Sequence, residues 1–235
     1  MLQTRLFHFN PLGTACSVIW DDGGNRCVVA DPGMAEPSEV RALLDFLAEN
    51  RLEPDAILLT HGHFDHVWGV RDLLEKYPVP VYMHPADKPV RDMGPAVFKG
   101  MQSFSVAVNF PTVDIADGDS LKKGGTVWKV IHTPGHTPGG VAWYCEESNL
   151  LLSGDTLFAG SIGRTDLAGG DYDVLIRSVM DRLMGLPGDT DVIPGHGGPT
   201  TIGREAMTNP FLIPFNEKDS AWWDQDGIEL DGENL

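Results

Sequence analysis

The chain of 235 residues has a mass of 25.6 kDa, with 42% hydrophobic and 22% charged residues. That is length enough for one large domain with its own core, and it excludes a disulfide-stapled miniprotein, a collagen-like chain and a disordered one. The 17 basic against 34 acidic side chains leave a net charge of -17, a field that repels phosphate backbones and anionic lipid, so neither nucleic acid nor a membrane is an expected partner.

Short β-rich runs open the chain at Arg5 to Phe9, Ala15 to Trp20 and Cys27 to Ala30, with Asp21-Asp22-Gly23-Gly24 as the turn between the last two. Beyond Asp31-Pro32-Gly33, Val40, Leu43, Leu44 and Leu47 recur at helical spacing behind a cap at Ser38, and Ala56 to Thr60 reads as a buried strand. A second helix carries Val67, Val70, Leu73 and Leu74. A strand follows at Val79 to Met83, then a connection over residues 85 to 103 that is either helical or a lid. β character resumes at Val127 to His132, Val141 to Tyr144 and Leu150 to Ser153. A helix bearing Leu175, Ile176, Val179 and Leu183 and a strand at Asp191 to Ile193 complete the pattern. Two β-rich halves that each acquire helices predict an α+β fold, a four-layer αββα sandwich, with a single doubly wound sheet as the alternative.

Residues 1–214 are expected to form this domain and residues 215–235 an acidic tail, which carries seven acids against Lys218. The adjacent Trp222 and Trp223 predict that the tail docks, since burying each ring contributes roughly 1.5 to 3 kcal/mol. The three cysteines, Cys16, Cys27 and Cys145, form no Cys-x-x-Cys pair and read as free thiols of a reducing compartment. No basic segment with an apolar core opens the chain, and no run approaches eighteen apolar residues, so a cytoplasmic location is expected.

Of eight histidines, three fall within Thr60-His61-Gly62-His63-Phe64-Asp65-His66, directly after a predicted strand. At an extended strand exit His61 and His63 project the same way and can grip one cation. The turn into a helix then brings Asp65 and His66 beside them. His136 in Thr133-Pro134-Gly135-His136-Thr137-Pro138-Gly139-Gly140, Asp155 in Ser153-Gly154-Asp155-Thr156 and His196 in Pro194-Gly195-His196-Gly197 each follow a β run, as loops gathered on one rim of a β scaffold do. His8, His84 and His132 lack such a context and read as structural.

These residues resemble the metallo-β-lactamase superfamily, whose signature is His-x-His-x-Asp-His, then a later His, an Asp and a final His, matched here from Asp31 to His196. The resemblance implies an αββα fold with one metal on His61, His63 and His136, a second on Asp65, His66 and His196, and Asp155 bridging both. Asp31, in the family's Asp-x-Gly turn, would support the ligands from behind. Nitrogen and carboxylate donors without thiolate suit two divalent ions, zinc first, with iron or manganese as alternatives. Gly154-Asp155-Thr156-Leu157-Phe158, Gly163-Arg164-Thr165-Asp166 and Thr208-Asn209-Pro210-Phe211 are similar to the glyoxalase II (hydroxyacylglutathione hydrolase) group, especially its short bacterial members. Glyoxalase II proper has a longer helical C-terminal domain that contributes to glutathione binding, whereas about forty residues follow His196 here.

The similarity implies hydrolysis of a small acidic thioester by metal-activated hydroxide, with Asp65 orienting the nucleophile or taking its proton. Arg164 would bind the substrate carboxylate, its structural alternative being a salt bridge to Asp166. A lactonase or phosphodiesterase, an iron-dependent persulfide dioxygenase with its ion on His61, His136 and Asp155, and a non-catalytic metal-binding protein are the competing readings. Oligomeric state is not implied.

Overall fold

Runs of β-branched and aromatic residues pair into two six-stranded sheets in the computed structural model, which describes residues 1–97 and 106–216. In the first sheet β1 (Leu2–Phe9), β2 (Thr14–Asp21) and β3 (Arg26–Ala30) form an antiparallel meander, with Phe9 opposite Thr14 and Trp20 opposite Cys27. β4 (Glu53–Leu58), β5 (Val81–Met83) and β6 (Val113–Asp114) then add in parallel. The second sheet begins with an antiparallel series, β7 (Ser120–Lys123), β8 (Thr126–His132), β9 (Val141–Cys145) and β10 (Leu150–Gly154). A small hairpin of β11 (Leu157–Phe158) and β12 (Ser161–Ile162) follows. β13 (Asp191–Pro194) then pairs in parallel with β10, and β14 (Thr200–Thr201) closes the edge.

Successive strand residues point to opposite faces, and here both faces of both sheets are apolar. Ile19, Val28, Ala30, Ala56 and Leu58 meet Trp128, Val130, Val141, Trp143 and Leu152 in a core between the sheets. Their neighbours Cys16, Val18, Cys27, Val29 and Ile57 face the other way, onto Leu43, Leu47, Val70 and Leu73 of the helices. Ala142, Tyr144, Leu151 and Val192 likewise leave the second sheet to meet Leu175, Ile176, Val179 and Leu183. Three apolar layers need four layers of backbone. This is the αββα sandwich, and it rules out the single doubly wound sheet.

Among the described residues the α-helices are α1 (Pro37–Glu49), α2 (Phe64–Val67), α3 (Val70–Lys76), α4 (Lys88–Met93), α5 (Tyr172–Arg177), which a π-helical stretch Ser178–Leu183 continues, α6 (Ile202–Thr208) and α7 (Ile213–Asn216). Three details correct the sequence reading. α1 is capped at Glu36 rather than Ser38, because Glu39 reaches back to the backbone N–H of Glu36 at 3.1 Å and of Ala35 at 2.7 Å. The helix expected over Val67 to Leu74 is two helices. Gly69 separates them where its N–H bonds the Pro32 carbonyl at 2.8 Å, and a Cβ there would sit 2.6 Å from Met34 Cε. The polar edge strand β7 escaped the reading because Ser-Leu-Lys-Lys shows one apolar residue, too few for a periodicity. The connection after β5 is helical over Pro85–Asp87, α4 and Gly94–Val97. The rest of it, and the expected docking of Trp222 and Trp223, lie outside the described residues. All three cysteines are free and buried. Among the described residues no helix is long and apolar enough to cross a membrane.

Candidate metal centre

Strand ends place every residue of the site on one rim of the sandwich. His61 and His63 follow β4, α2 carries Asp65 and His66, the β8–β9 loop carries His136, Asp155 follows β10, and His196 follows β13. The sheets are tied together at this end. Val141 N–H bonds Thr60 O and Ala15 N–H bonds Gly195 O across the sheets, and within the second sheet Gly195 N–H bonds Gly154 O, each at 2.8 Å. Rigid backbone thus surrounds the rim on both sides.

Three overlapping groups, His61 with His63 and His136, His61 with His66 and Asp155, and Asp65 with His66 and His196, keep their ligand atoms within 4.8 Å of one another. Asp155 stands between the first and last. Its Oδ1 lies 3.4 Å from His66 Nε2, and its Oδ2 lies 3.4 Å from His136 Nε2 and 3.5 Å from His196 Nε2. Asp65 Oδ2 is 3.5 Å from His66 Nε2 and 3.4 Å from His196 Nε2, while His63 Nδ1 is 2.9 Å from His136 Nε2. Ligands ~2.1 Å from one cation are ~3.4 Å apart at a tetrahedral angle and ~3.0 Å at a right angle. The observed spacings are those edges.

The opposite ring nitrogens are anchored, which turns the Nε2 atoms inward. His136 Nδ1 contacts Arg164 O at 2.7 Å, His196 Nδ1 contacts Leu12 O at 3.1 Å, and His66 Nδ1 contacts Asp31 Oδ2 at 2.9 Å. His61 Nδ1 contacts Thr60 Oγ1 at 3.1 Å, and that hydroxyl donates onward to Asp31 Oδ2 at 2.6 Å. Such backing of the distal nitrogen is the usual support of a metal-ligating histidine.

Nε2 of His61, Nε2 of His66 and Oδ1 of Asp155 are buried with no hydrogen-bond partner among the described residues. Each such atom costs roughly 1–3 kcal/mol, so three together in one pocket mark a place built for a cation. Burial, reinforced by neighbouring imidazoles, holds His61 and His63 well below the ordinary imidazole value and leaves their lone pairs available. Burial alone would lower His66 as well, but the carboxylates of Asp65, Asp155 and Asp31 outweigh it and lift His66 to about 10. Burial opposes ionisation of Asp65, yet His66 and His196 hold its carboxyl below the usual range. His66 would have to give up that proton to hold a cation through Nε2, so binding there would be coupled to proton release.

The seven residues singled out as metal ligands meet at one point, and Asp31 lies behind two of them as expected. Arg164 sits at the edge. Its guanidinium is half-exposed and pairs bidentately with Asp166, Nε to Oδ1 and Nη2 to Oδ2, both at 2.7 Å. His8, His84 and His132 stay outside the centre, the last two stacked on each other with ring centroids 4.3 Å apart. Thr14, whose hydroxyl donates to Asp65 Oδ2 at 2.8 Å, and Asn10, whose amide holds the Asp65 carbonyl at 3.1 Å, were missed. Neither carries a motif. The carbonyls of Leu12 and Arg164 have no signal in a sequence at all.

An αββα sandwich with a His- and Asp-lined rim defines a metal-dependent hydrolase class. Residues 9–196 match the metallo-beta-lactamase superfamily, and the chain belongs to that family. It is 36% identical over 206 residues to "Hydroxyacylglutathione hydrolase GloC" of Haemophilus influenzae, covering 84% of this chain and 92% of that one. Two solved structures are similar. One is the BLEG-1 B3 metallo-beta-lactamase, with 37% identity, a TM-score of 0.81, and 90% and 99% coverage of this chain and that one. The other is TTHA1623 in a di-iron-bound form, with 40% identity, a TM-score of 0.77, and coverage of 88% and 100%.

Proposed function

We propose that the chain hydrolyses small acidic thioesters of the hydroxyacylglutathione type, using two divalent ions on His61, His63, Asp65, His66, His136, Asp155 and His196. Zinc is the first expectation, and the di-iron form of TTHA1623 makes iron the leading alternative to it. The observation that carries this reading is the set of buried ligand atoms without hydrogen-bond partners gathered around Asp155. Ions held there supply Lewis acidity, lowering the pKa of water toward neutrality and polarising the scissile carbonyl.

The protein's own residues do the rest. Thr14 holds the Asp65 carboxylate beside His196 and Asn10 holds the Asp65 backbone carbonyl, so the carboxylate is placed where it can orient the attacking water and take its proton. A thiolate leaves readily, so no general acid is needed. The likeness to GloC supports the thioester. The likeness to a B3 metallo-beta-lactamase favours a second reading, in which the same attack opens a β-lactam amide.

Protein purified without chelator should carry near two equivalents of metal by element-resolved mass spectrometry. It should turn over S-lactoylglutathione in preference to a homoserine lactone, a phosphodiester and a cephalosporin. Turnover of the cephalosporin alone would establish the second reading, and of the phosphodiester alone would overturn both. One iron per chain, with oxygen consumed on a persulfide, would mark a dioxygenase.

Arg164 is proposed to bind the substrate carboxylate, a role suited to a planar guanidinium. Its positive charge already lowers His63, which sets it near the centre. Arg164→Ala should lower kcat/KM about tenfold for carboxylate-bearing thioesters, equivalent to about 1.4 kcal/mol, with both ions retained. Leu212-Ile213-Pro214 offers no second cation after Asn209-Pro210-Phe211, so glutathione and smaller acidic thiols should be discriminated weakly. Unchanged kinetics in the loaded variant would leave Arg164 only as the partner of Asp166.

A further inference from the structure

Asp87 lies outside every motif of the sequence, yet it is fully buried between two loops that carry ligand residues. Its Oδ2 accepts from Gly62 N–H at 2.7 Å and from Thr137 Oγ1 at 2.8 Å, and its Oδ1 accepts from Gly139 N–H at 2.5 Å. Gly62 stands between His61 and His63. Thr137 follows His136, with Gly139 two residues further on.

We propose that Asp87 is a positioning residue of the metal centre, locking the His61–His63 loop and the His136 loop in the register that one shared cation requires. The inference rests on the metal reading given above and assigns a residue that reading does not use.

Two features make the link specific. All three donors are neutral, and together they need an acceptor on both carboxylate oxygens. An Asn side chain offers one oxygen and turns its NH2 toward a second donor, so the neutral isostere cannot replace it. The close approach is also built from both sides. A Cβ on Gly62 would lie 2.6 Å from Asp87 O, and one on Gly139 would lie 2.7 Å from Asp87 Oδ1 and 2.6 Å from its backbone N. Only glycine lets either loop come so near.

The 2.9 Å contact between His63 Nδ1 and His136 Nε2 crosses between these same two loops. A ligand set tolerates displacement of only about 0.5 Å, so the carboxylate that joins the loops controls whether the three imidazoles converge. The hydrogen bonds of Asp87 reach neither α2, with Asp65 and His66, nor the His196 loop. Its influence should therefore fall on one ion and spare the other. A residue that merely stabilised the fold would weaken both alike.

The test compares the full chain with Asp87→Asn and Thr137→Val. Each is stripped with chelator and reloaded with Zn(II) or Co(II). Stoichiometry comes from element-resolved mass spectrometry, affinities from chelator competition, and ligand geometry from the Co(II) absorption spectrum. The unaltered chain should bind two equivalents. Asp87→Asn, with unchanged circular dichroism, should hold one equivalent as before and the other about 10- to 100-fold more weakly, with an altered cobalt spectrum. Thr137→Val, which removes one of the three bonds at nearly constant volume, should weaken the same equivalent by a smaller factor. Two equivalents at unaltered affinity with an unaltered spectrum in Asp87→Asn, or equal weakening of both, would overturn the inference. Should Asp87→Asn not fold, Thr137→Val decides by the same criteria. Failure of the unaltered chain to bind any metal would overturn the metal reading itself, and this inference with it.

Discussion

Asp155→Ala should remove both ions and lower kcat/KM for thioester hydrolysis by about a thousandfold. The carboxylate touches members of both ligand groups, His66 on one oxygen and His136 and His196 on the other, all within 3.5 Å. Without it, two divalent charges would stand among five imidazoles with Asp65 as the one carboxylate ligand. Metal assistance contributes several kcal/mol of transition-state stabilisation, and a thousandfold is about 4 kcal/mol. Asp155→Asn is the sharper comparison, because it keeps the shape and one neutral oxygen. It should retain at most one ion tightly. Metal content and thiol release measured on the same preparation check both variants. Two ions retained with activity within tenfold would place the bridging role elsewhere.

The cluster of candidate ligands was legible in the sequence because metal binding demands rare residue types at particular spacings, and His61-Gly62-His63-Phe64-Asp65-His66 meets that demand within six residues. The sandwich was legible for a different reason. Strands such as Val141 to Cys145 are apolar at every position, which happens when both faces of a sheet are covered. What the sequence concealed are the groups that hold the ligands. Asp87 lies 50 residues from Thr137, Thr14 lies 51 from Asp65, and the Leu12 carbonyl lies 184 from His196. Such pairings arise from how loops approach across the rim, and no local pattern records them. Arg164 shows the converse. Its motif was visible, but whether its guanidinium meets a substrate or Asp166 depends on geometry, and the side chain is paired with Asp166.

Asp31→Ala separates a residue that supports ligands from one that binds metal. Asp31 is buried and accepts three hydrogen bonds, from Thr60 N–H at 2.8 Å, Thr60 Oγ1 at 2.6 Å and His66 Nδ1 at 2.9 Å. Through Thr60 it steers His61, and directly it steers His66, so one carboxylate orients rings in two ligand groups. Its backbone has φ +47°, which Asn tolerates and Ala tolerates poorly. Truncation to Ala therefore strands buried donors and adds backbone strain. Loss of one partner from a buried pair costs about 3–5 kcal/mol, and urea denaturation should show that decrease with an unchanged slope. Asp31→Asn keeps an acceptor and the backbone preference, and should lose less. The decisive comparison is made with chelator present. Asp31→Ala should remain destabilised there, because its hydrogen bonds hold the polypeptide whether or not metal is bound. Asp155→Ala should lose less than Asp31→Ala in chelator, since Asp155 faces His66, His136 and His196 only at 3.4–3.5 Å and its Oδ1 has no hydrogen bond among the described residues, and its larger deficit should emerge when metal is restored. Equal behaviour of the two variants in chelator would remove the distinction between support and ligand.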